Sequence, residues 1–401
     1  EGRLFLFSIG GFTFVVFKTY KMNDMKGKQG MVCMGLLLVL SSCHTGKQIT
    51  ASGLQRKDFQ TEVNGQHTDL FTLSNKQGME VCITNYGARV VSILVPDRNG
   101  KREDVVCGFS TITEYMEQRQ NFGSTVGRYI GRILNARFTL DGVEYKLVPN
   151  NGKSGHISHG GNPGFADRIW KVEQADTHRV RLSYLSPDGE NGFPGNLKVT
   201  LVYSLGEDDN ALDLTYEATT DAPTVLNLSH HSFFNISGNF TKSVEDQQLW
   251  VDADRFTPYD DKKCVTGEYL QVAGTPLDFR MPHAIGECID ADHPQLKVVN
   301  GYDHTWELNT KGDDTRPAAW VYDPASGRKM EIFTTEPGMQ IYTGNGLKGK
   351  MTGKGGIAYP FRSAVCFETM HFQDSPNQPG FPSTVLRPGE VFRSHTVYKF
   401  E

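Results

Sequence analysis

Arg137-Phe138-Thr139-Leu140-Asp141-Gly142-Val143-Glu144-Tyr145-Lys146-Leu147-Val148 places an Asp-Gly pair between two segments in which apolar and polar side chains alternate. A two-residue Asp-Gly link suits a tight hairpin, because both linking positions then take positive φ and the flanking strands run back antiparallel. The alternation has the period of a half-buried strand. The same pattern extends outward in both directions. Upstream it predicts strands at Leu70–Leu73, Glu80–Asn85 and Arg89–Pro96. Downstream it predicts, among others, Val180–Leu185, Asn196–Ser204, Ala211–Thr219, Lys329–Thr334, Met339–Tyr342, Ala364–Phe367 and His395–Phe400. Asn99-Gly100, Asp188-Gly189, Asn191-Gly192 and Ser326-Gly327 punctuate these runs as turns. Helical stretches are few: one short helix around Ile112-Tyr115-Met116 and another from Asp290 to Leu296. Strands without intervening helices predict an all-β protein, a large antiparallel β-sandwich with few short helices, and not a parallel α/β sheet. No composition break interrupts residues 59–401, so they are expected to form a single domain.

Residues 1–58 read differently. From Met22 or Met25, Lys26 and Lys28 lead into the apolar Met31–Leu40 and then Ser41-Ser42-Cys43. That run is short for a bilayer span and fits the h-region of a signal peptide. Leu40-Ser41-Ser42-Cys43 also resembles a bacterial lipobox, in which the Cys is acylated after cleavage. Residues 1–43 are therefore expected to be a leader: an upstream segment followed by a lipoprotein-type signal, with lipidation at Cys43. Residues 44–58 are expected to be a flexible tether. The mature protein would then be an exported bacterial lipoprotein, held on a membrane of the periplasm or cell envelope. The apolar, aromatic Phe5–Phe17 fits this scheme poorly and reads as translated upstream sequence, with a membrane helix as the alternative.

The formal net charge of −5, with 38% hydrophobic and 22% charged residues, offers no basic excess for a phosphate backbone, so nucleic acid is not an expected partner. Beyond the leader, Cys82, Cys107, Cys264, Cys288 and Cys366 lack the close spacing of a zinc or redox motif, and nothing selects a disulfide pair among them. Histidines gather in Ser154-Gly155-His156-Ile157-Ser158-His159-Gly160-Gly161, Asn227-Leu228-Ser229-His230-His231-Ser232-Phe233-Phe234-Asn235 and Gly301-Tyr302-Asp303-His304. Adjacent His230 and His231 would face opposite sides of a strand. These clusters hold neither His-x-His on a strand nor Glu-x-x-His on a helix, so no metal is expected.

A carboxylate closes the apolar run Ala364–Phe367, followed by a loop with three prolines: Glu368-Thr369-Met370-His371-Phe372-Gln373-Asp374-Ser375-Pro376-Asn377-Gln378-Pro379-Gly380-Phe381-Pro382. Placed at the end of a strand, Glu368 would reach a rim on rigid scaffolding, as a catalytic base requires. One Glu, a His, an Arg, an Asp and a Gln suit a sugar: the planar groups hydrogen-bond hydroxyls in pairs, and Glu with His forms an acid/base couple. Asp303 could also serve as the second carboxylate of a glycoside hydrolase.

These segments, together with Gly127-Arg128-Tyr129-Ile130-Gly131-Arg132-Ile133, Ser158-His159-Gly160-Gly161 and Gln340-Ile341-Tyr342-Thr343-Gly344-Asn345, resemble in order the aldose 1-epimerase (galactose mutarotase) family, from about Asn85 to the C-terminus. The resemblance implies a galactose mutarotase-like sandwich that interconverts α and β aldohexose anomers by ring opening, without a cofactor. Glu368 would be the general base and His231 the general acid. Arg132, His159, Asp303 and Gln340 would hold sugar hydroxyls, with Ser232 and Phe233 flanking the acid. The partner implied is a monosaccharide such as glucose or galactose. Three departures bear on sugar preference: the family commonly has Asn where His230 stands, Tyr where Phe233 stands and Asn where Gly131 stands. Two rival readings on the same fold are a non-catalytic carbohydrate-binding protein and an envelope polysaccharide-processing enzyme. Tyr302, Trp306 and Phe361 are candidates for stacking on a sugar, with core packing as the alternative.

Overall fold

The computed structural model describes residues 3–9, 12–18 and 49–401; the signal segment, Cys43 and the first residues of the expected tether lie outside the described residues. The hairpin forms as its sequence demands. Arg137–Leu140 pairs with Val143–Lys146 in the register Leu140↔Val143, with Asp141 at φ 51° and Gly142 at φ 79°.

Three sheets organise residues 49–401. The largest has nine strands, in the order Lys171–Ala175, Arg179–Ser186, Leu197–Leu205, Ala211–Thr220, Phe392–Phe400, Lys329–Thr334, Ala319–Tyr322, Gln248–Val251 and His283–Ala284. A six-stranded sheet runs Phe233–Phe234, Val365–Met370, Gly338–Tyr342, Asp303–Glu307, Arg255–Thr257 and Leu270–Gln271, and a four-stranded one Leu70–Ser74, Glu80–Thr84, Arg89–Pro96 and Arg102–Asp104. Every strand pair in them is antiparallel.

Alternation decides which face of each strand is dry. In Leu197–Leu205, Leu197, Val199, Leu201, Tyr203 and Leu205 are buried while the residues between them are not. From the six-stranded sheet, Trp306, Met339, Ile341 and Phe367 join the same core. Each such fully buried side chain contributes roughly 1.5–3 kcal/mol. Polar contacts cross between the sheets as well: the Tyr398 hydroxyl donates to the Phe367 carbonyl at 3.0 Å, and the Thr369 and Thr396 hydroxyls meet at 2.7 Å. The opposite face of the six-stranded sheet is thereby left to carry polar groups.

Four expectations change. Val365–Met370 extends past Glu368, which pairs with Gln340 in mid-strand and is 4% exposed, not at a strand end on a rim. The ladder with Gly338–Tyr342 supplies backbone partners as far as Met370, so the polar run does not stop the strand. The expected tether is docked from Ile49 onward: Leu54 is buried, and the Arg56 guanidinium forks onto the Asp69 carboxylate. The second helix is Pro294–Val299, because Pro294, whose missing N–H no first-turn position needs, opens it after the His293 cap. Finally, Arg3–Ile9 and Phe12–Lys18 are paired strands, so the Phe5–Phe17 stretch is not a helix. No helix among the described residues is long and apolar enough to cross a membrane. Cys82, Cys107, Cys264, Cys288 and Cys366 are all free thiols.

Candidate active site

Register places the site. Thr305, Gln340 and Glu368 are mutual cross-strand partners on the six-stranded sheet, and Asp303, Tyr342, Cys366 and Phe233 form the next row of the same face. Directly opposed side chains on one face lie within contact reach. Their neighbours His304, Ile341 and Phe367 point into the core, as the period of two requires. Tyr302 and Trp306 are fully buried, and Phe361 is exposed outside the cavity, so none of the three stacks on a bound sugar.

His231 arrives from a different pairing. Ser229–His231 runs beside Ser124–Val126, and after Ser232 the chain joins the edge of the six-stranded sheet at Phe233. His231 and Phe233 fall on the same side and stack, centroids 5.1 Å apart. His230 and Ser232 fall on the other side, where His230 Nε2 and the Ser232 hydroxyl meet at 2.6 Å and His230 abuts Tyr203. Ser232 is 1% exposed and is not part of the cavity wall. The alternation that separates His230 from His231 removes Ser232 from the site too.

The cavity has a volume of about 250 Å³, and its walls include Arg132, His159, His231, Phe233, Asp303, Gln340 and Glu368. Seven of the eight expected catalytic and binding residues thus surround one space. Gln120, Asn121, Ser158, Tyr342, Met370 and Gln373 complete the lining without having been singled out, together with Gly131, one of the three departures that bear on sugar preference. Ser158, Gly131, Tyr342, Met370 and Gln373 sit inside the quoted motifs, where spacing alone could have nominated them. Gln120 and Asn121 follow the helix Ile112–Gln118 and carry no local signal. A second hollow of about 280 Å³ shares Asn121, Ser158 and His159 with the first.

At the centre, His231 Nε2 lies 3.4 Å from Glu368 Oε1, and both side chains are at least nine-tenths buried. His231 Nδ1 has no hydrogen-bond partner among the described residues, so Nε2 is the working nitrogen. Burial pushes the Glu368 carboxyl well above the usual carboxylate range, and nearby Asp303 adds to the shift. Burial likewise pushes the His231 imidazole well below its usual value, with His159 and then His230 as further causes. Each shift makes its group better at its task once charged: a stronger base on one side, a stronger acid on the other.

The walls are equally constrained. Arg132 pairs with Ser158 in a two-stranded ribbon, and the Asp374 N–H donates to the Arg132 carbonyl at 2.8 Å, tying this wall to the loop after Glu368. The Asp374 carboxylate accepts from Leu134 N, Asn377 and Gln378, which fixes the prolines' loop. His159 turns inward at φ 51° while its Nδ1 faces the Gly131 N–H at 3.4 Å, leaving Nε2–H for the cavity. Burial, then Arg132, hold His159 at about 4, so it is neutral. Gly160 has φ 78°, and a Cβ there would stand 2.0 Å from the Gly127 carbonyl oxygen. Only glycine closes this loop. The Gln340 amide donates to Asp303 Oδ1 at 2.7 Å and accepts from Thr305 Oγ1.

One metal-competent grouping exists among the described residues: the donor atoms of His231, Cys366 and Glu368 all lie within 4.8 Å of one another. A cation held there would occupy both members of the central pair, which is incompatible with their moving protons.

A family profile described as Aldose 1-epimerase matches residues 69–399. A galactose mutarotase of Bos taurus is 40% identical over 331 residues, covering 82% of this chain and 93% of that protein. An aldose 1-epimerase of Escherichia coli K12 is 36% identical over 339 residues, 84% and 96% of the two chains. Among solved structures, an aldose epimerase homologue from C. elegans superposes with a TM-score of 0.77 at 31% identity, covering 83% of this chain and 99% of that one. A galactose 1-epimerase from Lactobacillus acidophilus gives 0.74 at 28% identity, with 85% and 96% covered.

Proposed function

Because this chain belongs to the aldose 1-epimerase family, we propose that it interconverts the α and β anomers of aldohexoses such as glucose and galactose, with Glu368 as general base and His231 as general acid. The observation that carries the roles is the 3.4 Å approach of the buried His231 Nε2 to the buried Glu368 Oε1 on the wall of a sugar-sized, polar-lined cavity.

The chemistry follows from the sugar. Its anomeric hydroxyl is its most acidic, since the ring oxygen withdraws electron density from C1. Glu368 takes that proton, the C1–O bond becomes a carbonyl, and the C1–O5 bond breaks. O5 would leave as an alkoxide, so His231 delivers a proton from Nε2. Rotation about C1–C2 then turns the aldehyde over, and the reverse transfers close the ring on its other face. The pair shares one proton, which burial favours on Glu368 in the free protein and which must pass to His231 across their 3.4 Å contact before Glu368 can act as base; it is on His231 again when the ring has closed. Positioned proton transfer of this kind contributes typically about 10²–10⁴-fold. Arg132, His159 and Asp303 keep the open chain in place, and Gln340 orients Asp303 through its amide N–H. No electron-sink step arises, so the reaction needs no cofactor. A purely sugar-binding role would leave unexplained why an acid and a base are buried in contact, a costly arrangement unless it is used.

The test is polarimetry on freshly dissolved α-glucose and α-galactose. Acceleration of either toward equilibrium is expected; a protein that accelerates no common aldose ends this reading.

We further propose that Cys43 is the lipid-bearing residue of an exported bacterial lipoprotein, held on a membrane of the periplasm or cell envelope. The support is sequential: a basic flank at Lys26 and Lys28, the apolar Met31–Leu40, then Ser41-Ser42-Cys43. Cys43→Ala should move the protein from the membrane fraction to the soluble fraction. Retention in the membrane fraction would sink the proposal.

A further inference from the structure

Gln340 is so fully engaged within the protein that it has little left to offer a sugar. Its amide nitrogen donates to Asp303 Oδ1 at 2.7 Å and also faces the Tyr259 hydroxyl at 3.5 Å. Its amide oxygen accepts from Thr305 Oγ1 and from Gln373 Nε2, the latter at 3.3 Å. That pattern sets the orientation of the next amide. The Asp303 carboxylate can only accept, so it faces the Gln340 NH₂; the Gln340 oxygen must then face a donor, which is the Gln373 NH₂. Gln373 Nε2 also lies 2.6 Å from the Tyr259 hydroxyl, so both of its N–H groups are committed. The Gln373 oxygen is left over. Gln373 lines the cavity, is 5% exposed, and its oxygen has no protein partner among the described residues.

We infer that Gln373 is a specificity-determining residue, its amide oxygen presented to the cavity as the acceptor for one hydroxyl of the bound aldose. The role rests on the epimerase reading above and deepens it. Preorganisation is what gives the oxygen discriminating power. It is held through Gln340 and Asp303 on the rigid sheet, and a hydroxyl that meets it loses no energy to side-chain ordering. Gly131 makes room for it: a Cβ at Gly131 would come within 2.6 Å of Gln373 Cγ.

The experiment couples the residue to the hydroxyl. Wild type and Gln373→Met, of similar length and without the amide, are assayed by polarimetry and by NMR of the anomeric protons on glucose, galactose and a panel of monodeoxy aldoses. In the wild type one deoxy sugar should lose roughly 3- to 10-fold in kcat/KM, the scale of one neutral hydrogen bond. In Gln373→Met that penalty should vanish, with the parent sugars raised in KM by a similar factor and the pH profile of kcat unchanged. Identical deoxy penalties in the two proteins would overturn the inference. So would a uniform fall in kcat with a shifted pH profile, which would mean that Gln373 acts through Gln340 and Asp303. A wild type inactive on every aldose would instead refute the epimerase reading itself, and circular dichroism with a thermal melt identifies a variant that has not folded. For that case Gln373→Leu supplies a second apolar replacement with the same expected readout.

Discussion

Replacing Glu368 by Gln should cost activity and gain stability in one step, because the same burial is responsible for both. The amide matches the carboxyl in size and can occupy the same place opposite Gln340 in the Val365–Met370 strand. It cannot accept the anomeric proton. Losing a positioned base removes roughly 10²–10⁴ in rate, equivalent to about 3–5 kcal/mol at 1.36 kcal/mol per decade. Stability moves the other way. Burial, reinforced by Asp303, raises the carboxyl's folded-state pKa well above its value in the unfolded chain. Between those two values the folded protein keeps a proton that the unfolded chain has released. Rising pH therefore favours unfolding by about 1.4 kcal/mol per pH unit for this one group. Its stabilising effect is complete below the unfolded-chain value near 4.5 and is lost as pH climbs through the folded value. Glutamine has no such proton, so the stability advantage of Glu368→Gln should widen as pH increases above about 5. Urea unfolding at several pH values, paired with polarimetry on α-galactose, measures both arms. A variant with full rate would refute the base assignment, and a stability difference flat with pH would refute the account of the buried carboxyl.

Three further outcomes follow from the same groups. His159 is held at about 4, and His230 and His304 at about 3, each chiefly by burial. These values are depressed, so the stability they represent is present above about 6.5 and is lost as pH falls toward 3–4; the three together steepen acid unfolding by up to roughly 4 kcal/mol per pH unit, measurable as urea midpoints from pH 7 to 5. Arg132→Ala should raise KM and, by removing the cation beside His159, move the His159 titration upward from about 4 in NMR of its ring protons. Zinc ions should inhibit in competition with sugar by binding His231, Cys366 and Glu368, and Cys366→Ala should weaken that inhibition while leaving metal-free turnover intact.

Local rules carry far in this chain. Asp141-Gly142 specifies its hairpin with no help from elsewhere, and Arg89–Pro96 and Lys329–Thr334 form at the predicted bounds, the first largely apolar between turns and the second alternating. Non-local pairing is what sequence periodicity cannot supply. The strand bearing Glu368 runs on through Thr369 and Met370 only because Gly338–Tyr342 lies beside it. Leu54 and Arg56 look like spacer residues until Asp69 and the core are brought to them. The site divides along the same line. Glu368, His231, Arg132, His159, Asp303 and Gln340 are reachable from motifs, whereas the orientation of Gln373 depends on hydrogen bonds that run from Asp303 through Gln340, on neighbouring strands, to the loop after Met370. Ser232 follows His231 in the motif that carries the resemblance, yet period-two alternation sends its side chain to the side of His230.

Phe392–Phe400 is the fifth of the nine strands in the large sheet, between Ala211–Thr220 and Lys329–Thr334. Without it the sheet is two four-stranded halves, each ending in a raw edge of unpaired amides and carbonyls. Closure therefore waits on contacts between segments far apart in the chain, a topology that folds slowly because loop entropy is lost before the contacts form. During that interval the open edges are the chain's hazard for pairing with other molecules. The same strand brings Tyr398 and Thr396 under Phe367 and Thr369. Glu368 thus acquires its firm seat only when the sheet closes, and catalytic competence should emerge with the slowest phase of refolding, after most of the secondary structure has formed.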